Sequence, residues 1–81
     1  MRVEIAGKEW LIQDAKLCGL CEHEAQIITI QVGQRGKARL DTVIHEVVHA
    51  CQPLATELAV AALAKVVTEI LWRDGWRRKN G

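Results

Sequence analysis

The chain has 81 residues, room for one domain with a small core. Its formal net charge of +1 argues against a dedicated nucleic-acid binder, and its 49% hydrophobic content excludes a disordered chain. Phe and Tyr are absent, so Leu, Val, Ile, Ala and three Trp must fill the interior.

Val3-Glu4-Ile5 alternates in polarity, Ala6-Gly7-Lys8 offers a turn, and Glu9–Gln13 resumes an extended pattern. These two pieces predict a β-hairpin. Residues 14–25 are polar and irregular. Gln26–Val32 is rich in β-branched residues, ends at Gly33 and is the strongest strand signal in the chain. From about Lys37 to Cys51 the period becomes helical. Leu40, Val43, Ile44, Val47 and Cys51 form an apolar stripe, with His45 and His49 on nearly the opposite side. Pro53 ends this helix. Thr56 is placed to cap a second helix reaching about Arg73. Its apolar stripe is Val60, Leu63, Val67, Ile70 and Leu71, and Lys65, Glu69 and Arg73 form a solvent face. The expected fold is a single α+β domain over residues 1–81, a three-stranded, mainly antiparallel sheet packed on two helices.

The chemistry concentrates in His45-Glu46-Val47-Val48-His49, an H-E-x-x-H run. Residues four apart on a helix share a face, so the two imidazoles can hold one zinc ion beside a glutamate able to act on a metal-bound water. Zinc needs at least a third protein ligand. Glu57, Glu69, His23, Asp41, Cys18 and Cys21 are the residues on offer. Helical phase favours Glu57, at the edge of the second helix's apolar face beside Ala61 and Ala64. Glu69 falls among the outer charges, and Asp41 is expected to support the site or face solvent. The short link from Ala50 to Thr56 suits an antiparallel helix pair, which brings Glu57 near His49.

This run, followed by a helical glutamate, resembles the gluzincin branch of zinc metallopeptidases, and in particular minimal, often phage-encoded members. The resemblance covers about residues 26–73. It implies a zincin-like fold, zinc held by His45, His49 and Glu57, and Glu46 as general base. The implied reaction is hydrolysis of a peptide bond by metal-activated water. In such peptidases a peptide substrate pairs with the edge of the strand before the motif helix, a place that Gln26–Val32 occupies here. Larger relatives steady the oxyanion with Tyr, His or Arg. This chain leaves His23, Arg35 and Arg39 for that task.

Other features have plainer readings. Cys18-Gly19-Leu20-Cys21-Glu22-His23 matches metal-ligand spacing, and Cys51 would complete a four-ligand set. Without a second C-x-x-C pair, reduced thiols in a loop are expected instead. Trp72 and Trp76 among Arg73, Arg77 and Arg78 read as a helix end over the core with solvated arginines, not a nucleic-acid surface. The start, Met1-Arg2-Val3-Glu4, has no apolar signal segment, and Leu58–Val67 is too short and too charged to span a bilayer. The expectation is a soluble, cytoplasmic protein with a peptide or protein substrate and no membrane partner. The main rival is a non-catalytic interaction module stapled by zinc. A regulatory protein that contacts nucleic acid through its basic tail is the other.

Overall fold

The computed structural model describes residues 1–16 and 20–78, with the backbone but not the side chains of residues 20–22. Four strands precede two helices: β1 (Arg2–Ile5), β2 (Lys8–Ala15), β3 (Leu20–Glu22), β4 (Ile27–Gln31), α1 (Gly36–Cys51) and α2 (Glu57–Arg73). The fold is a small α+β domain. The sheet order is β1-β2-β4-β3. The β1–β2 and β3–β4 ladders are antiparallel, and β2–β4 is parallel.

The expected hairpin forms, with Ile5 opposite Lys8. Its two-residue turn holds Ala6 at φ 51° and Gly7 at φ 83°, the left-handed pair whose twist matches that of the strands. The expected third strand is β4. A fourth strand, β3, forms within the stretch read as irregular, because Leu20–Glu22 pairs with Ile27–Thr29 across a short return. Three residues are too few for a period-two pattern to declare itself in sequence.

One face of the sheet is apolar. Ile5, Trp10, Ile12, Ile28 and Ile30 are buried there, with Ala50 of α1 buried against them and Val43 and Val47 packed alongside. Ile12 and Ile28 stand opposite each other in the parallel ladder. α1 thus lies directly on the sheet. Among the described residues α2 packs on α1 alone, so the order of layers is sheet, α1, α2.

That arrangement revises both helical stripes. In α1 the expected Cys51 is exposed, and Ala50 takes the buried place. In α2 the buried line is Val60, Ala64 and Thr68. Leu63 and Ile70, expected inside, are exposed. A helix that rests on one other helix covers only a narrow strip, and small side chains such as Ala64 let the axes come close. Glu69 is not an outer charge either. It joins Lys37, at the start of α1, and accepts from Arg73 at 2.9 Å, tying the two helices together. No helix among the described residues is long and apolar enough to cross a membrane.

Local chemistry fixes the helix ends. The Thr56 hydroxyl accepts a hydrogen bond from the Ala59 amide at 3.1 Å, as its capping role requires. Gly36 opens α1 at φ +57°, and a Cβ there would meet the Trp72 ring at 3.3 Å. Glycine adopts that backbone angle without strain and leaves the ring in place.

Two outcomes are expected. Ile30 is fully buried, so Ile30→Ala should cost about 2–5 kcal/mol in urea unfolding, whereas Leu54→Ala, at a residue 97% exposed, should change stability by about 0.5 kcal/mol or less. The hydrogen bond from Lys37, with the charges of Lys37 and Arg73, holds the Glu69 carboxyl below its ordinary value of 4.5. A lowered carboxyl pKa stabilises the fold above the unfolded value and loses that effect as pH falls through the folded value. Glu69→Gln should therefore lower the melting temperature at neutral pH, and the gap should close in acid below about pH 4.

Candidate metal centre

The link between the helices is five residues long, from Gln52 to Thr56, and contains Pro53. The Gln52 amide caps α1 by donating to the Val48 carbonyl at 2.8 Å, and Ala55 donates back to Gln52 at 3.0 Å. This tight return sets the first residue of α2, Glu57, against the last turns of α1.

Glu57 reaches both imidazoles. Its Oε1 lies 2.7 Å from His45 Nε2 and its Oε2 lies 2.7 Å from His49 Nε2. The two rings stand 4.9 Å apart at 61°. His45, His49 and Glu57 each present one ligand atom, all within 4.8 Å of one another, and together could hold a metal ion. That spacing suits one ion with bonds of about 2 Å, and two imidazoles with one carboxylate is a donor set that zinc accepts. The imidazoles are mostly shielded, at 22% and 20% exposure, while Glu57 is 70% exposed. Hydrogen bonding from His49 is the main cause that lowers the Glu57 carboxyl's pKa, and the positive potential of both histidines adds to it.

Glu46 behaves differently. It is buried, at 8% exposure. Burial is the main cause that raises its carboxyl's pKa, against the opposing influence of His45 and His49, while the Glu57 charge adds to the rise. A buried carboxylate is costly, and acids with shifted pKa values cluster at functional sites. Of the four residues singled out from the sequence, His45, His49 and Glu57 thus meet at one end of the helix pair, and Glu46 is buried on the same stretch of α1, within the electrostatic influence of all three.

The other candidates do not join them. Asp41 stays outside the group, and Glu69 serves Lys37 and Arg73. Cys51 is exposed and outside the group. Cys18 and the Cys21 side chain lie outside the described residues. Arg39 is paired with Asp14 at 2.9 Å, and Arg35 is the N-cap of α1. Both arginines therefore belong to the opposite end of α1, about 10–15 Å of helix rise from His45, so neither stands beside the group as an oxyanion donor would.

His23, a candidate for the third ligand and for the oxyanion, lies outside the group and takes a part that the sequence pattern did not show. His23 Nε2–H donates to the His49 carbonyl at 2.8 Å, and its ring meets Trp10 edge-on at 5.7 Å. It ties the return after β3 to the last turn of α1. No spacing rule links positions 23 and 49, so the contact emerges only on folding.

No family model matches the chain, no curated protein matches it, and no solved structure matches it.

Loss of either histidine or of Glu57 would leave two of the three candidate ligands. His49→Ala and Glu57→Ala should each reduce the divalent metal retained after dialysis from about one ion per chain to near none, measured by elemental analysis, while Asp41→Ala keeps it. A His49→Ala protein with full metal content would show that the ligand set is wrong.

Proposed function

We propose that this protein is a zinc-dependent, metallopeptidase-like hydrolase, with His45, His49 and Glu57 as ligands and Glu46 as general base. The observation that carries the reading is the convergence of two helical imidazoles and a carboxylate from the next helix, with a second, buried carboxylate adjoining the first imidazole in sequence. Zinc bound there would supply Lewis acidity toward a carbonyl and lower the pKa of a coordinated water.

The chain's own residues divide the remaining work. His45 and His49 are held four apart by α1, so their separation does not depend on the ligand. Glu57 supplies a negative charge that offsets that of the cation. Glu46 takes a proton on its carboxylate and returns it to the leaving amine, a role suited to a carboxyl whose basicity is raised by burial. His23 holds the His49 backbone carbonyl, anchoring the last turn of α1 that carries the second imidazole.

The place for a peptide differs from the one the resemblance implies. β4 lies inside the sheet, between β2 and β3, and its Ile27–Thr29 stretch is paired on both sides. The edge beside the metal group belongs to β3, whose following turn carries His23 to His49. An extended peptide would add to the outer edge of β3.

Glu46→Gln tests the reading. The variant should retain zinc and lose roughly 10²–10⁴-fold in the hydrolysis of a peptide library. Undiminished hydrolysis would remove Glu46 as base. A zinc-loaded wild-type protein that cleaves no member of the library, but whose melting temperature falls on metal removal, would favour the stapled interaction module instead.

A further inference from the structure

At the opposite end of the helix pair lies a cleft of about 550 Å³, within the range of small-ligand sites. None of His45, Glu46, His49 or Glu57 lines it, and its α1 wall runs from Gly36 to Val43, so this cleft is separate from the metal group. Its lining gathers four arginines, Arg35, Arg39, Arg77 and Arg78, and two tryptophans, Trp72 and Trp76. Among the described residues the only carboxylate in the wall is Asp14, and Arg39 already pairs with it at 2.9 Å. A chain of net charge +1 has thus concentrated positive charge in one concavity, where low-dielectric walls strengthen its field.

The two ends of the wall differ in what they offer. Arg77 is engaged, its guanidinium 3.5 Å over the Trp72 ring and its Nη1 donating to the Trp72 and Trp76 carbonyls. Trp76 is 62% exposed, its indole N–H held by Asp74 at 3.1 Å, which fixes the ring and leaves its surface open to stacking. Arg35 and Arg78 are exposed and form no ion pair among the described residues. The Gln34 side-chain oxygen in the same wall is buried and has no hydrogen-bond partner among the described residues. The first turn of α1 opens here too, with no side-chain cap and no acidic residue.

We propose that this cleft binds a nucleotide, its phosphate held by Arg35, Arg39 and Arg78 and its base lying against Trp76. Guanidinium forks match phosphate oxygens in geometry. An aromatic face accepts any base by stacking. The amides at the start of α1 reinforce the preference for an anion. A free nucleotide and one nucleotide of a single strand present the same chemistry to this wall.

Titration of the full chain with ADP, read by calorimetry and by quenching of tryptophan fluorescence, tests the proposal. ADP should bind saturably, and adenosine at least tenfold more weakly. Arg35→Ala and Arg78→Ala should each weaken ADP at least tenfold, and Trp76→Leu should weaken it while circular dichroism stays native. A short oligodeoxyadenylate separates the sources. Tighter binding than ADP with the same arginine dependence points to a strand, and weaker binding points to the free nucleotide. Absence of saturable ADP binding, adenosine binding as tightly as ADP, or indifference to both arginine substitutions would overturn the proposal. Metal content is read on the same samples, so the outcome is independent of the metal group.

Discussion

The structure turns on the reversal of chain direction between α1 and α2. Five residues bring Glu57 back beside His45 and His49, and without that reversal the H-E-x-x-H run would be two imidazoles on a bare helix. The reversal is held at both ends of the helix pair. At the near end, Thr56 caps α2 and the Gln52 amide closes α1. At the far end, Glu69 joins Lys37, and Trp72 packs against the bare Cα of Gly36. Because α2 rests on α1 alone among the described residues, these contacts and the line of Val60, Ala64 and Thr68 set where Glu57 falls.

α1 therefore serves two neighbours. Val43, Val47 and Ala50 pack on the isoleucines of the sheet, while another side receives α2. Glu46 is buried on this central helix, and His45 and His49 are mostly shielded. The rigidity of a helix clamped from two sides suits a site that must keep its ligands in place. The cost is the desolvation of Glu46, which shows as a raised carboxyl pKa. The far end of the same two helices gathers the opposite charge, so one helix pair presents an acidic, imidazole-bearing end and a cationic, aromatic end.

Much of this was legible in the residue order. The 3.6-residue period marked both helices, alternation marked the hairpin, and a β-branched run ending at Gly33 marked β4. Phase picked out Glu57 but set Glu69 among the outer charges, whereas both carboxylates reach α1 and differ in the end of the helix pair at which they do so. Phase failed for the exact buried lines. Leu63 and Ile70 are as apolar as Val60, yet a single supporting helix covers only the strip that includes Ala64 and Thr68. Residue order also missed β3, whose pairing needs β4 already in place.

The sequence by itself determined the elements, the helical spacing of His45 and His49, the cap at Thr56 and the short link that forces an antiparallel return, because each is a property of neighbours along the chain. Tertiary structure alone decided the interior position of β4, the hydrogen bond from His23 to the His49 carbonyl, and the assembly of Arg35, Arg39 and the tryptophans of the C-terminal region around one cleft. Those depend on contacts between segments tens of residues apart, which no local period encodes and only packing can select.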